Sequence, residues 1–591
     1  MLTTLQGQAK TYKKLYQQNK SIANLNKAIT TYQKADTIIN TIRQSFTNYQ
    51  DKVTFAKQAK EVYQGAIESQ LLLYAAKKDQ QALKKAFYYA ERSKANTLKE
   101  LLNDANAKNF TGLPTDLVGL EKDLRIDKAF YQSKITEEHS QPFDKLRAGI
   151  DTTKITRYEN KLFEINRRQD SLTEVLEKNY PKYYQLKHKN DVVSVGELQQ
   201  QLNERTTMVE FFTSDSTTYA FAISKNKIAV EELATADLTK KIETFRAVIT
   251  SKHVGDFKTS AHQLYQELIA PIAHHFVGDE LIIIPDGPLW HLNFELLLTQ
   301  QEETNNPVDF SYLLHNYAIS YANAANILFS GSQDTPTSKK QEECLAFSFT
   351  DSTNIVDATS MSLATLRDAG DDLPGTRKEI KAIAEIIDGQ YYFGSEAIEA
   401  NFKKNANQYN ILHLALHGEV DNERPENSKL YFTKTKDTIE DNLLYGHELF
   451  ALDIPAELTV LSACNTGSGK IAKGEGIMSL GTAFQYAGTK SLLLTSWEVS
   501  DQTTPALMKY FYTNLKQGMS KSKALQQAKL DYLKTADINR THPFYWGGFY
   551  LVGDTAPIPF SDHTWWYWVI GVGALAILFF SLFWYRRRVK S

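Results

Sequence analysis

Cysteine is almost absent from this chain: Cys344 and Cys464 are the two in 591 residues. That excludes a disulfide framework and any zinc site built from four cysteines, so a thiol that matters here matters singly. An excess of charge of one sign is also missing. The 67 basic and 69 acidic side chains nearly cancel, and no whole-chain field draws the protein toward nucleic acid or another polyanion. The opening residues, MLTTLQGQAKTYKKLYQQNK, have no apolar core or small-residue cleavage site, so they do not read as an export signal. What is present, 42% hydrophobic and 23% charged residues, suffices for roughly three to four domains' worth of buried core.

Long apolar runs are lacking too, with one exception. From Trp565 to Tyr585 the sequence WWYWVIGVGALAILFFSLFWY carries no charge, and at a 1.5 Å rise it spans about the 30 Å hydrocarbon core of a bilayer. The expectation is one transmembrane helix over 564–585, entered through a Pro-containing linker at 555–563 and followed by a basic tail at 586–591. Aromatic residues at both ends suit the headgroup level, and Gly571 and Gly573 are tolerated in such helices. Arg586, Arg587, Arg588 and Lys590 favour a cytoplasmic tail by the positive-inside rule. The rest would then be exported, which requires a signal peptide upstream of residue 1; the alternative is a tail-anchored protein that violates the charge rule.

Residues 1–108 have almost no Pro or Gly and place Ala beside aromatics at helical spacing, as in Ala28, Tyr32 and Ala35 and again in Ala82, Ala86, Tyr89 and Ala90. They read as tetratricopeptide-like repeats, although no clean 34-residue period is visible; a plain helical bundle stays open. A polar break at Asn109–Pro114 leads into a helical or coiled connector at 109–191, interrupted near Gln141–Thr153, in which Ile155–Leu176 reads as a coiled arm. Beyond residue 192 the texture becomes α/β. Met208–Phe212, Tyr219–Ile223, Leu281–Ile284, Ile411–Ala415, Leu458–Leu461 and Leu492–Thr495 are short β-rich runs alternating with helical segments, several continuous enough for parallel strands covered on both faces. The Ser-, Thr- and Asp-rich stretch Ser330–Asp372 reads as surface loops.

Two strand ends concentrate catalytic residue types. In ILHLALHGEV, His417 stands at a strand end directly before Gly418; in LTVLSACNTGSG, an apolar strand runs out into Cys464 and a glycine-bearing loop. A thiolate needs a base and an oxyanion donor, and neighbouring parallel strands can supply both. His417 precedes Cys464 by about 47 residues, close to the caspase arrangement of about 50. Bland readings compete. His413 and His417 have the spacing of a helical zinc site, but Leu414 stands where the Glu should be and the texture is that of a strand. Gly467–Lys470 lacks the first Gly of a phosphate loop and has Ile471 in place of the magnesium-binding Ser or Thr. Cys464 alone could be a buried, inert thiol, and Cys344 reads as a strand residue.

The second half, 192–554, resembles the CHAT family, a caspase-like domain associated with tetratricopeptide repeats. The resemblance rests on Ile284-Pro-Asp-Gly-Pro-Leu-Trp-His-Leu-Asn-Phe-Glu295, Leu373-Pro-Gly-Thr-Arg-Lys-Glu379, His413-Leu-Ala-Leu-His-Gly418, Leu461-Ser-Ala-Cys-Asn-Thr-Gly467, Gly474-Glu-Gly476, Ser496-Trp-Glu-Val-Ser-Asp501 and His542-Pro-Phe-Tyr-Trp-Gly-Gly-Phe549. Ala86–Ala95 also looks like the last helix before such domains. The resemblance implies an α/β/α caspase-like fold with a mostly parallel central sheet, His417 as general base and Cys464 as nucleophile. The backbone N–H groups of Gly418 and Cys464 are the oxyanion donors it implies. Leu416 and Asn293 depart from residues more usual in relatives, away from the dyad.

For the substrate pocket, Asp501 would form an acidic wall favouring Arg or Lys at P1, with Glu475 and Glu498 as competitors; Asp501 could equally cap a helix beginning near Gln502. The whole reads as a membrane-anchored cysteine endopeptidase acting on proteins recruited by its N-terminal helices, with no cofactor, metal or nucleic acid required. The alternative is a catalytically idle or latent interaction scaffold.

Overall fold

The computed structural model describes residues 1–46, 49–108, 112–139, 152–189, 191–215, 217–329, 341–349, 374–421, 424–433, 440, 442–462, 469, 471–472, 474–477 and 479–560. The N-terminal part is helical: α1 (Leu2–Asn19), α2 (Ile22–Ser45), α3 (Tyr49–Lys77), α4 (Gln80–Arg92), α5 (Asn96–Lys108), α6 (Thr115–His139) and α7 (Thr152–Asn179). Local chemistry sets the breaks. Lys20 ends α1 in the left-handed conformation, and the Asp79 carboxylate caps α4 by accepting the Gln81 N–H. The small residues do what their spacing suggested. Ala28, Ala35, Ala86 and Ala90 are fully buried, and a Cβ on Gly65 would lie 2.1 Å from the Tyr32 hydroxyl, so only glycine lets α2 and α3 close around that ring. Helices α6 and α7 pack against each other.

The strands are β1 (Thr206–Thr213), β2 (Thr217–Ser224), β3 (Lys227–Ala234), β4 (Glu280–Ile284), β5 (Ala318–Tyr321), β6 (Glu342–Ser348), β7 (Gly389–Phe393), β8 (Tyr409–Ala415), β9 (His417–Glu419), β10 (Lys429–Tyr431), β11 (Leu443–Tyr445), β12 (Leu458–Leu461), β13 (Ile471–Ala472), β14 (Gly476–Ile477), β15 (Ser491–Thr495) and β16 (Phe549–Gly553). Eleven form one sheet in the order β3-β2-β1-β4-β5-β16-β15-β12-β8-β6-β7. The apolar runs expected as strands are β1, β2, β4, β8, β12 and β15. The sheet is mixed, because β1–β2–β3 is an antiparallel meander and β16 runs against β15. The reading of Ser330–Asp372 as loops is corrected within its described part: β6 lies inside that stretch and pairs with both β7 and β8.

Charged residues of the helical region are buried in the seam with the sheet. Lys60 Nζ donates to both Asp286 oxygens at 2.6 Å, and Lys94 Nζ donates to Glu210 at 2.8 Å. Glu91 accepts the backbone N–H groups of Ala325 and Asn326. These pairs explain why the Ala86–Ala95 segment carries charge on a face that is covered.

The last strand, β16, inserts between β5 and β15 and joins the two halves of the sheet. A buried polar cluster fixes it. Lys529 Nζ donates to Glu295 Oε1 at 2.7 Å and to the Phe549 carbonyl at 2.6 Å, while the Tyr321 hydroxyl donates to Glu295 Oε2 at 2.7 Å.

The expected transmembrane helix and the membrane localisation are not supported. Among the described residues no helix is long and apolar enough to cross a membrane, because the long helices carry charge throughout and bury only one side. The stretch 564–585 itself lies outside the described residues. The architecture is therefore a helical N-terminal region followed by a mixed α/β sheet.

Lys529→Met is expected to lower unfolding stability by about 3–5 kcal/mol, since it leaves the buried Glu295 carboxylate without its cation. Denaturant titration would measure it, and adding Glu295→Gln should recover part of the loss.

Candidate active site

The candidate residues leave the sheet at one edge. Strands β6, β8, β12 and β15 are adjacent and mutually parallel, so their C-terminal ends open onto the same side, where parallel sheets commonly bind ligands. Leu461 of β12 stands opposite Leu414 of β8. Counting along each chain, Cys464 and His417 are therefore equally far beyond that pair. Cys464 itself lies outside the described residues.

His417 opens β9, opposite Tyr431 of β10, and its half-buried ring packs edge-on to Phe349 with centroids 5.0 Å apart. Phe349 is held by its N–H donating to the Ala415 carbonyl. Gly418 is buried within β9 opposite Leu430. His417 and Glu419 share a face of β9. Glu419 also lines a recess of about 370 Å³ together with Thr136 and His139 of α6, Arg424, Lys429 and Tyr445, so α6 forms one wall of that recess.

His413 has a different environment. It is fully buried, with Nδ1 2.9 Å from the Tyr512 hydroxyl and Nε2 3.0 Å from Glu379 Oε1. Both ring nitrogens are engaged, which leaves no lone pair for a metal. Two clusters of residue types that can ligate a metal lie elsewhere among the described residues. Glu399, Glu440 and Glu448 surround Lys403 Nζ at 2.6–2.9 Å, so an ammonium group already supplies the cation; burial and Glu448 push Glu399 up to about 8. Glu231, His274 and His275 form the other, where Lys227 Nζ approaches His275 Nδ1 at 3.0 Å.

Asp501 follows β15 on the same edge. A Cβ on Gly375 would lie 2.5 Å from both the Asp501 Cβ and its carbonyl oxygen, so the first turn of the helix Pro374–Ala384 rests directly on Asp501. Thr376 of that turn hydrogen-bonds Ser348 at the end of β6. This turn thus links the ends of β6 and β15. Burial, with Glu379 and Glu498 nearby, pushes the Asp501 carboxyl up to about 6. The helix after it, Thr504–Lys516, has Thr503 as its N-cap residue and no side-chain capping bond, so Asp501 does not perform the capping role.

Glu475 does not fit the substrate-pocket role considered for it. It is buried against the helical region, where Oε1 lies 3.4 Å from Arg43 Nη1 and Oε2 accepts the Thr97 N–H at 2.8 Å. Glu498 is exposed. Cys344 is a fully buried β6 residue, and burial pushes its thiol up to about 12.

Other quoted motif residues brace this edge. Ser496 Oγ donates to Asn293 Oδ1 at 2.6 Å, Asn293 Nδ2 donates to the Gly547 carbonyl at 2.7 Å, and Trp497 Nε1 donates to the Phe544 carbonyl at 3.0 Å. Sequence reasoning assigned no role to Glu379, Tyr512 or Phe349. The Glu in the 373–379 motif was the available signal, but its partner His413 is in a different element.

The family model of the CHAT domain matches residues 258–554, half of the chain. This chain belongs to the CHAT domain family. Tetratricopeptide repeat protein 28 of Homo sapiens and of Mus musculus are each 28% identical to it over 117 residues, 20% of this chain. The chain spans only 4% and 5% of the length of those relatives. Two crystal structures of the Saccharomyces cerevisiae separase-securin complex are similar at 10% identity, covering 93% and 95% of this chain and 40% and 47% of theirs. Their TM-scores of 0.39 and 0.38 are too low to establish a shared fold.

In the folded CHAT protein, Cys344 is expected to resist iodoacetamide at pH 8 and to react only after denaturation, because its thiolate fraction and access are both negligible. Peptide mapping of the alkylated protein checks this; rapid native labelling of Cys344 would contradict the burial.

Proposed function

We propose that the CHAT domain is a cysteine endopeptidase in which His417 removes the Cys464 proton and the resulting thiolate attacks a peptide carbonyl. The bond from sulfur to the carbonyl carbon forms, the amide C–N bond then breaks, and His417 returns the proton to the leaving amine before water releases the acyl group. The observation that carries this reading is the β8–β12 register, which sends the His417 and Cys464 segments off adjacent parallel strands from matched positions. Backbone N–H groups of Gly418 and Cys464 would stabilise the oxyanion. The helical region would recruit the protein substrate, in keeping with the likeness to a tetratricopeptide repeat protein. A catalytically idle scaffold is the second reading; the buried, fully partnered His413 favours it only in that a histidine on this strand can serve packing alone.

The test compares the wild type with Cys464→Ala on a diverse peptide library, reading cut sites by mass spectrometry. Cleavage by the wild type alone is expected; equal cleavage patterns, or none from either protein, would remove the protease assignment.

Asp501 is proposed as the acidic wall of the P1 pocket. A carboxyl pushed up to about 6 is ionised above that pH and neutral below it, so preference for a basic P1 residue should be present above pH 6 and decline as the pH falls through it. The ratio of kcat/KM for an Arg-P1 peptide to that for a neutral-P1 analogue isolates this effect, because titration of His417 cancels. Asp501→Asn should lower the ratio by about 10- to 100-fold and flatten its pH profile. A ratio that ignores both the pH and the substitution would exclude Asp501 from the pocket.

A further inference from the structure

Strand β3 closes the sheet at the end opposite β7 and pairs with β2 alone. Alternate residues of a strand share a face, so Lys227 and Glu231 stand on one face of β3. The short helical turn Ala273–His275 lies against that face. His275 Nδ1 is 3.0 Å from Lys227 Nζ, and its Nε2 is 3.2 Å from Glu231 Oε1. His274 Nε2 lies 4.0 Å from the same Glu231 oxygen. Neighbouring side chains of a 3-10 turn point about 120° apart, yet these two rings have centroids 3.8 Å apart and both bring Nε2 toward one carboxylate. The backbone of the turn is fixed at either side: Ile272 is fully buried, and Phe276 packs edge-on to Tyr317 with centroids 5.8 Å apart.

Two imidazoles and a carboxylate are the donor set of a three-ligand zinc site. Zinc bonds of 2.0–2.1 Å in a tetrahedron put neighbouring ligand atoms about 3.3 Å apart. The His275–Glu231 distance already matches, the His274–Glu231 distance is under about 1 Å longer than that spacing, and one ligand atom from each residue lies within 4.8 Å of the other two. His275 is also satisfied without a metal, held between a cation and an anion, so its partners must be able to give way. They can. Unlike the partners of the fully buried His413, the Lys227 ammonium ends an exposed, flexible stem, and the His274 and Glu231 side chains are 62% and 37% exposed. Ligation through Nε2 moves the His275 proton to Nδ1, Lys227 turns away, and Glu231 exchanges its hydrogen bond for a bond to the metal. Nitrogen donors favour zinc over magnesium or calcium, which take oxygen ligands.

We propose that Glu231, His274 and His275 form a zinc site that clips the edge strand β3 to the turn Ala273–His275. The site is independent of the protease reading and uses none of its residues. Three protein ligands leave the fourth position to water on the exposed side. Lys227 is the internal competitor: its ammonium occupies the Nδ1 side of His275 and repels a dication, so it weakens the site instead of building it. Bound zinc joins β3, which has a ladder on one side only, to a second element and so protects an open sheet edge.

The experiment titrates zinc chloride into the full chain as wild type, His274→Ala, Glu231→Gln and Lys227→Met, all in a Cys464→Ala background so that the remaining thiol, Cys344, is the buried one. Calorimetry gives Kd, and hydrogen exchange over 227–234 and 270–277, with and without zinc, locates the ion. Changes in outer-shell partners alone cost about 10- to 100-fold in metal affinity, so loss of a ligand in His274→Ala or Glu231→Gln should raise Kd by about 100-fold and abolish the zinc-dependent slowing of exchange in both segments. Lys227→Met should lower Kd several-fold, a gain that misfolding does not produce. Magnesium and calcium chloride should slow exchange in neither segment. Absence of zinc binding to the wild type overturns the proposal, as does zinc binding that ignores His274→Ala and Glu231→Gln, that leaves exchange over 227–234 unchanged, or that weakens in Lys227→Met.

Discussion

The insertion of β16 between β5 and β15 is the constraint on which the rest of the sheet depends. Without it, β1–β5 and β6–β15 would each present an unpaired edge, and exposed edges invite misassociation. With it, backbone ladders run across eleven strands, and the end of β15 is held at a fixed distance from the end of β5. Lys529 secures the insertion by bonding both the β16 backbone at Phe549 and the carboxylate of Glu295, which also accepts from Tyr321 on β5. Residues far apart in the chain thereby define one edge, and that edge carries the candidate chemistry.

The helical region is joined to this sheet by buried charge as well as apolar contact. Lys60, Lys94, Glu91 and Arg43 all pair across the seam. Each such pair is costly if broken and modest if kept, which favours one relative placement over many loosely equivalent ones. Apolar packing of the Phe87–Phe221 kind, with ring centroids 5.9 Å apart, supplies attraction but tolerates sliding. The combination makes the helices a continuation of the CHAT domain's own framework, and the Glu475 contact extends that framework to the chain beyond Cys464.

Much of this was legible in local pattern. Continuous apolar runs marked β4, β8, β12 and β15, since strands covered on both faces need no polar alternation. The Ala–aromatic spacing marked α2 and α4. Local pattern was divided over β6: Cys344 reads as a strand residue while the surrounding Ser330–Asp372 reads as loops, and pairing with neighbours on both sides decides for the strand. It failed for Glu475, where an acidic residue near Cys464 in the sequence suggested substrate and turned out to face Arg43, more than four hundred residues away in the chain. The long apolar stretch at 564–585 suggested a membrane anchor, and none of the described helices supports one.

By itself the sequence determined that helices precede an α/β sheet, the strands β8 and β12 that lead toward His417 and Cys464, and the motifs of the CHAT family, because periodicity and motif spacing are properties of neighbouring residues. Only the tertiary structure decided which charged residues face each other. It paired His413 with Glu379 and so made it a packing residue, set Gly375 flush against Asp501, and turned Glu475 toward the helices. Those outcomes depend on which elements meet after folding, and burial then gives each unpaired charge a cost that no local pattern reveals.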